Sequence, residues 1–357
     1  MCRLISLVGS VLLLLTVSPL GGTPASAAVR RASVIKCRAS NQTCWPTAFA
    51  FTPDGGSIFY VERYTGQIRL FDRSPKKDRV WARIGGVGKS GEQGLLGLAV
   101  DPDWPTEDWV YLYYTRRSPL QNRIVRLRKR SDGSVLTQRL LSIPAAQFHN
   151  GGPIHFGPDG MLYAVTGDAG SPGRAQDPNS PSGKVLRMSR AGDVPGGNPF
   201  PGSRAFSIGH RNSFGFTFDH KTGRVWQTEN GPQCNDELNM IREGKNYGWG
   251  PASGCPNTNQ SGAAPVAPRL TFNPVIVPTG AAFCDNCSLG AKTEDTLLFG
   301  SHGDGWIRRL TLTANRQGIV AQSFFYQNAS GILAVEAAPD GTVYFSDENG
   351  IYRLTRG

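Results

Sequence analysis

The stretch Gly157-Pro158-Asp159-Gly160-Met161-Leu162-Tyr163-Ala164-Val165 joins a tight turn to a short apolar run. Glycine, proline and aspartate are typical turn formers, and an apolar run bounded by turns is typical of a buried strand. The same unit recurs at intervals of roughly 45 to 75 residues, the size of a four-stranded propeller blade. The six recurring segments are Thr52–Phe71, Asp101–Leu127, Gly157–Met188, Asp219–Thr228, Asp295–Leu310 and Pro339–Leu354. They predict an all-β fold, a six-bladed β-propeller.

A β-sandwich is the alternative all-β architecture, but the number of repeated units favours a ring of blades. Glycine and proline are abundant, at 44 and 25 residues, and long helical patterns are nearly absent. Gly248–Pro278 is poor in strand pattern, so we expect a long loop or an insertion in a blade. In a propeller the loops at the strand ends gather around a central channel, where we expect the functional side chains.

Residues 1–27 have the features of a secretory signal peptide. Arg3 supplies the positive amino-terminal region, Leu4–Leu15 is mostly apolar, and Ala25-Ser26-Ala27 has the small residues of a cleavage site. The apolar run is short for a membrane span, so an uncleaved anchor is the less favoured alternative. We expect residues 28–357 to form a secreted, extracellular propeller domain with no membrane span after cleavage.

Six cysteines remain after this cleavage, and an even number in an exported chain favours disulfide bonds. Sequence alone does not select the pairing, and nearest-neighbour pairing is the simplest scheme. It joins Cys37 to Cys44, Cys234 to Cys255 and Cys284 to Cys287. A zinc site at Cys284 and Cys287 is the alternative, although no clear second pair of ligands follows them in sequence.

The formal net charge is +11, and part of it concentrates in Arg123–Arg130. Such a charge favours solubility and attraction to anionic surfaces. We interpret the arginine-rich run as a solvated outer strand. The sequence has neither a basic helix nor interleaved basic and aromatic residues, so we expect no nucleic-acid partner.

The most prominent chemical motif surrounds the same predicted strand. Gln147-Phe148-His149-Asn150-Gly151-Gly152 places a histidine on a glycine-rich turn, and the strand ends at Gly167-Asp168. A histidine beside a carboxylate is suited to general base catalysis, because the carboxylate fixes the tautomer and stabilises the imidazolium. The alternative is a loop histidine that makes only a structural hydrogen bond.

Two further loops carry polar groups suited to ligands. Gly209–Gly215 contains the pair Arg211 and Asn212, whose donors suit carboxylates, carbonyls or quinone oxygens. Glu229–Asn239 combines glycine and proline with acidic side chains, and calcium prefers such sets of carbonyl and carboxylate oxygens. The spacing differs from that of an EF-hand, and an acidic surface turn is the alternative.

Together these motifs resemble the soluble PQQ-dependent glucose/sorbosone dehydrogenases, which include the aldose sugar dehydrogenases. The resemblance spans most of the mature chain, and the motifs occur in the family's order. The motifs are Gly91–Ala99, His149–Gly152, Gly167-Asp168, Gly183–Arg187, Gly209–Asn212 and Gly231–Asn239. The family fold is a six-bladed propeller, in agreement with the repeat pattern.

The resemblance implies PQQ and Ca²⁺ as cofactors, an aldose sugar as substrate and an external electron acceptor as partner. His149 matches the base that takes the proton of the anomeric hydroxyl, and Asp168 matches the carboxylate that orients it. Arg211 matches a catalytic residue that polarises the quinone carbonyl. The implied cofactor-binding residues are Gln93, on the substrate side, Gln176, Arg211, Asn212 and His302.

The implied calcium ligands lie in and after the acidic loop. The carbonyls of Gly231 and Pro232 match ligands of the calcium that bridges to PQQ, and Asp236 lies in the same loop. Glu237 and the carbonyl of Tyr247 match a second, structural calcium site.

Three departures concern the anionic cofactor. His302 stands where many relatives carry a lysine, and Gly331 and Leu333 stand where many carry arginines. Each charged hydrogen bond contributes about 1.5 to 3 kcal/mol, so we expect weaker binding of PQQ unless Arg308 or Arg309 compensates. Two other functions stay open: a non-catalytic propeller that binds glycan or protein, and a calcium-dependent lactonase-like hydrolase.

Overall fold

The computed structural model describes residues 28–37 and 44–357. The predicted signal peptide, residues 1–27, lies outside the described residues. The described part contains 24 strands and one short helix, and the strands form six four-stranded antiparallel sheets. The predicted six-bladed β-propeller is therefore confirmed. None of the helices in these two ranges is long and apolar enough to cross a membrane.

The strands are numbered in chain order, beginning with β1 (Val29–Lys36). The first blade has β2 (Phe49–Phe51), β3 (Ser57–Val61), β4 (Gln67–Arg73) and β5 (Lys76–Arg83); the second has β6 (Leu95–Val100), β7 (Val110–Arg116), β8 (Gln121–Lys129) and β9 (Val135–Pro144). The third has β10 (Ile154–Phe156), β11 (Leu162–Val165), β12 (Lys184–Met188) and β13 (Ala205–Ile208), with α1 (Pro172–Gln176) between β11 and β12. The fourth has β14 (Gly215–Phe218), β15 (Val225–Glu229), β16 (Asp236–Ile241) and β17 (Leu270–Phe272). The fifth has β18 (Pro278–Phe283), β19 (Leu297–Ser301), β20 (Trp306–Leu312) and β21 (Ile319–Gln327); the sixth has β22 (Ala334–Ala337), β23 (Val343–Asp347), β24 (Gly350–Arg356) and β1.

The first strand of each blade lies next to the axis. β2 contacts β6 and β22, and β18 contacts β14 and β22, so these strands form an inner ring. Successive strands then step outward, because each pairs with the next in the order of the chain. The loops that precede the inner strands consequently meet around the axial cavity.

The core is divided among the gaps between neighbouring blades. Each of six apolar clusters combines side chains from two adjacent sheets. In β11, Leu162 and Ala164 pack towards the second blade, whereas Tyr163 and Val165 pack towards the fourth. Both faces of this strand are buried, which explains its continuous apolar run.

The ring is closed by the two ends of the described chain. β1 pairs with β24 in antiparallel register, from Val29 opposite Arg356 to Lys36 opposite Gly350. The Arg31 guanidinium also lies 4.4 Å from the centre of the Tyr352 ring. The turn-and-strand repeats predicted each blade but not this closing strand, because β1 precedes the first repeat.

Three disulfides confirm nearest-neighbour pairing: Cys37–Cys44, Cys234–Cys255 and Cys284–Cys287. The carboxylate of Glu294 lies near Cys284 and Cys287, but the bond between their sulfurs leaves neither thiolate for zinc. The Cys234–Cys255 bond attaches the segment 248–278 to the fourth blade. As expected this segment is mostly loop, although it also contributes the short outer strand β17.

We expect closure of the ring to dominate stability. Ile35 on β1 is 3% exposed, and Ile35→Ala removes buried methyl groups between the first and last blades. The free energy of unfolding should fall by about 2 to 5 kcal/mol in urea titrations. Lys36→Ala, at the exposed neighbour on the same strand, should change it by less than about 0.5 kcal/mol. Equal effects at both positions would contradict this account.

Candidate active site

A cavity of about 360 Å³ opens among the loops at one end of the propeller axis. Its walls are mostly apolar and aromatic, with Trp45, Leu96, Phe148, Phe214 and Leu333 among the lining residues. Polar groups interrupt these walls at a few places, namely Thr47, Arg63, Glu92, Thr279 and His302. An apolar cavity with few polar groups is the usual form of a small-molecule site.

The third blade carries His149 and Asp168, and the loop of His149 contributes Phe148 and Gly151 to the lining of the cavity. His149 lies in the loop before β10 and Asp168 follows β11, and the antiparallel pairing of these strands brings both to one end of the sheet. The His149 Nδ1 lies 2.8 Å from the Asp168 Oδ1. His149 has a φ of 59°, and its carbonyl would lie 2.1 Å from a Cβ on Gly167, so only glycine fits at that crossing.

Asp168 is 0% exposed and its carboxylate is surrounded by donors. The Gly170 amide donates to Oδ1 and the Trp249 indole Nε1 donates to Oδ2, each at 2.8 Å. Because the carboxylate accepts from every side, it holds the proton of the His149 ring on Nδ1. The Nε2 atom makes no hydrogen bond to a described residue, and the ring is 20% exposed. This arrangement leaves Nε2 without a hydrogen-bond partner among the described residues.

Glu92 fixes the histidine loop from the second blade, and sequence reasoning did not single it out. Its Oε2 accepts from the backbone N–H of His149 at 2.7 Å and from the Asn212 Nδ2 at 3.0 Å. The Asn212 Oδ1 accepts from the Gly151 N–H at 3.1 Å, so the loop Gly209–Gly215 is hydrogen-bonded to the histidine loop as well. The motif Gly91-Glu92-Gln93 could have indicated Glu92, because this residue directly precedes Gln93, the predicted site residue.

Arg211 lies among acidic groups behind the dyad. Its Nη1 donates to the Asn230 carbonyl at 2.8 Å, and its guanidinium carbon lies 5.3 Å from the centre of the Trp249 ring. Its Nε is buried without a partner among the described residues. Burial lowers the pKa of Arg211, and carboxylates including Asp168 and Glu229 oppose this shift. The Arg211 Nε–H is thus an unpaired donor among the described residues, on a positively charged side chain.

Gln93 and Gln176 make contacts within the scaffold rather than lining the cavity. Gln93 accepts from the Ser90 N–H and donates to the Ala146 carbonyl, so its amide stabilises a turn. Gln176 exchanges hydrogen bonds with Asn246 and donates to the Trp249 carbonyl at 2.6 Å. Gln176 therefore supports the tryptophan that contacts Asp168.

His302 does line the cavity, together with Leu333. Burial lowers the pKa of His302, so the ring is neutral at neutral pH and brings no cation. A Cβ at Gly331 would lie 2.7 Å from the His302 carbonyl and 2.9 Å from its ring, and Gly331 has a φ of 73°. The space for a side chain at Gly331 is therefore occupied by His302.

Neither alternative arginine in the fifth blade supplies the missing charge. The guanidinium of Arg308 is paired with Asp304, and that of Arg309 donates to Thr293. Among the described residues, the cavity lining contains one fully charged cation, Arg63. It donates to the carbonyls of Gly91 and Gln93.

The loop predicted to bind the first calcium is folded around Asp236. The three N–H groups of Gly231, Ile276 and Val277 donate to this carboxylate, so Asp236 holds the loop in place. Burial raises the pKa of Asp236. No described N–H donates to the carbonyls of Gly231 and Pro232. These two oxygens are therefore free to bind a cation.

The second predicted metal site lies between β15 and β16. Glu237 stands opposite Glu229 in the register, and burial, followed by the charge of Glu229, raises the pKa of Glu237 to about 7. Gln227 and Asn239 also stand opposite each other on β15 and β16, and their side-chain oxygens are buried without a partner among the described residues. Tyr247 is 1% exposed and stacks on His210 nearby. Unpaired oxygens beside buried carboxylates suit Ca²⁺.

A propeller that displays a histidine–carboxylate pair at an axial cavity has the architecture of an enzyme active site. The Glucose / Sorbosone dehydrogenase family model matches residues 43–356, so the chain belongs to this family. This membership supports the class of sugar dehydrogenases, which are oxidoreductases.

Relatives with described activities agree with this class. Quinoprotein glucose dehydrogenase B of Acinetobacter calcoaceticus is 30% identical, over 57% of this chain and 50% of the relative. Aldose sugar dehydrogenase YliI of Escherichia coli is 29% identical, over 57% of this chain and 58% of the relative. The matches thus span about half of each relative's length. The structure of the PQQ-bound aldose sugar dehydrogenase from Streptomyces coelicolor is similar with a TM-score of 0.78 and 30% identity, covering 94% of this chain and 99% of that chain.

The contacts of Glu92 can be tested without substrate. Glu92→Ala leaves the His149 N–H and the Asn212 amide without their acceptor, so the free energy of unfolding should fall by about 1 to 3 kcal/mol in urea. Glu107→Ala removes an exposed ion pair with Arg128 and should cost less than about 1 kcal/mol. A Glu92→Ala protein as stable as the Glu107→Ala control would show that Glu92 does not lock the loops.

Proposed function

We propose that this protein is an exported dehydrogenase that oxidises aldose sugars at C1 to lactones, with PQQ and calcium as cofactors and an external electron acceptor. The observation that carries the proposal is the dyad of His149 and Asp168, in a loop that supplies Phe148 and Gly151 to the lining of the axial cavity. Membership of the sugar dehydrogenase family and similarity to a PQQ-bound structure support it.

The residues of this chain supply the proton chemistry. His149 takes the proton of the anomeric hydroxyl at Nε2, and buried Asp168 stabilises the resulting imidazolium through Nδ1. Trp249 and Gly170 keep the carboxylate in place. Glu92 lines the cavity with an Oε1 that accepts no hydrogen bond from the described residues, so it can accept from a sugar hydroxyl.

The cofactors fit the remaining groups in part. PQQ, when bound, supplies the two-electron acceptor for the sugar's hydride. The aromatic and aliphatic walls suit a planar ring, and Arg211 offers an unused Nε and a positive charge to a carbonyl oxygen. Gly231 and Pro232 would hold the calcium beside PQQ, and Glu237 with the Tyr247 carbonyl would hold the structural calcium.

Arg63 would hold a carboxylate of PQQ, because it is the full cation in the described lining of the cavity. Arg63→Met keeps the length of the side chain and removes the charge. It should raise the dissociation constant for PQQ about tenfold or more, measured by absorbance titration of the calcium-loaded apoprotein.

Arg83→Met is the matched control, since Arg83 is an exposed arginine of the same blade. It should leave PQQ affinity unchanged. Unaltered affinity in a folded Arg63→Met protein would exclude Arg63 as the anchor, whatever the activity of the loaded protein.

Reconstitution tests the proposed function directly. The chain from Ala28 is mixed with calcium and PQQ, and reduction of a redox dye is followed with glucose and other aldoses. We expect sugar-dependent reduction that EDTA abolishes, and a loss of at least about 100-fold in His149→Ala, because general bases contribute about 10² to 10⁴. His220→Ala, at a partly exposed histidine elsewhere in the fourth blade, should retain activity. PQQ binding without turnover, or no PQQ binding by folded protein, would refute the proposal.

A cofactor-free propeller that binds carbohydrate is the second candidate. The neutral His302, the glycine at 331 and the apolar Leu333 favour it, because they leave an anionic cofactor with few cationic partners. Sugar binding by the protein that neither needs PQQ nor leads to dye reduction would support this candidate. Lactone hydrolysis in the same preparation would instead support a lactonase on this scaffold.

A further inference from the structure

Phe148 is a large apolar side chain at an unusual position. It is 52% exposed, yet it lines the cavity and directly precedes the candidate base His149. Water contact with so much apolar surface is unfavourable, and a polar residue would suit a solvent-facing loop better. What sets Phe148 apart is its place in the lining of a mostly apolar cavity, where an aromatic ring can contact a ligand.

The backbone on both sides of Phe148 is held firmly. The Glu92 N–H donates to the Gln147 carbonyl at 2.9 Å, and the His149 N–H donates to the Glu92 Oε2 at 2.7 Å. The Gln93 amide also donates to the Ala146 carbonyl. The exposed ring therefore extends from a loop that is fastened to the second blade at three points.

The ring itself rests on a glycine. A Cβ at Gly91 would lie 3.0 Å from the Phe148 Cε1 and 2.5 Å from the Gln147 carbonyl, and Gly91 has a φ of 56°. Any side chain at this position would displace the ring or the loop. The glycine thus lets the backbone support the phenyl ring, while the rest of the ring borders the cavity.

We propose that Phe148 is a stacking platform for the C–H face of a neutral pyranose ring and sets the preference for that substrate class. The proposal rests on the proposed function and deepens it. Aromatic rings bind apolar faces of ligands at low entropic cost, because a supported ring has little conformational freedom to lose. A pyranose combines such a C–H face with hydroxyls, and Glu92 provides the acceptor on the same wall.

The position of the ring favours a sugar over a docked protein. Phe148 lines the cavity and directly precedes the candidate base in the chain, whereas the exposed apolar pair Val320 and Phe324 lies on β21, the outermost strand of the fifth blade. A platform next to His149 would hold the sugar close to the Nε2 atom that receives its proton. Because Glu92 is anionic, the subsite should take neutral aldopyranoses and disfavour sugar acids.

Steady-state kinetics of the reconstituted enzyme test the platform. Phe148→Ala should raise the KM for glucose about five- to tenfold, while kcat stays within about twofold and the KM for the dye is unchanged. Phe148→Tyr keeps the ring and should behave like the unaltered enzyme. Phe148→Leu keeps apolar bulk without the ring and should resemble Phe148→Ala. An unchanged KM for glucose, or a changed KM for the dye alone, would overturn the proposal.

Saturation-transfer NMR separates this proposal from the proposed function. With calcium-loaded protein lacking PQQ, methyl β-glucopyranoside should receive saturation at its axial ring protons, and Phe148→Ala should remove that signal. If the reconstituted protein oxidises no sugar, the dehydrogenase proposal fails, yet ring-dependent saturation would still establish the platform. If the glycoside receives the same saturation from both proteins, Phe148 is not a sugar platform, even where dehydrogenase activity is present.

Discussion

The pairing of β1 with β24 is the constraint on which the rest of the structure depends. A ring of sheets has no packed core at its centre, and its apolar clusters lie in the gaps between blades. The gaps between blades stay closed only if the ring stays closed. The antiparallel pairing of β1 with β24 joins the two ends of the ring. The inner strands then stand at fixed angles around the axis. This fixes the loops from different blades, so that Glu92, His149 and Asn212 can share hydrogen bonds.

The fold was largely predictable because blades repeat a local pattern. Turns with aspartate, glycine or proline precede middle strands whose two faces are both buried, and the run at Leu162–Val165 shows this most clearly. The inner strand β10 has only three residues, too short to give a pattern. The closing strand β1 precedes the first repeat and pairs with β24, from Val29 opposite Arg356 to Lys36 opposite Gly350, so no local sequence pattern indicated this pairing.

The candidate site was predictable where its residues flank neighbouring strands of one blade, as do His149 and Asp168, whose Nδ1 and Oδ1 lie 2.8 Å apart. It was not predictable where partners come from distant segments. Trp249 donates to Asp168 from 81 residues further along the chain, in a segment that is poor in strand pattern. Motifs also left the direction of neighbouring side chains undecided: Gln93 turns into its loop, whereas Glu92 lines the cavity. The roles of these residues in catalysis stay predictions.

The absence of cationic side chains at His302 and Gly331 has a single structural basis, because the two positions pack against each other. The His302 ring fills the space that a side chain at 331 needs, so a lone Gly331→Arg change would not restore a cation without moving the ring. Behind the dyad, Arg211 is surrounded by the carboxylates of Asp168, Glu229, Glu92 and Asp236, which gives this region a negative balance. A tricarboxylate cofactor would enter such a field only after the acidic loop had bound cations. Under the proposed function, calcium held by the acidic loop would also offset this local negative charge, which persists although the whole chain has a net charge of +11.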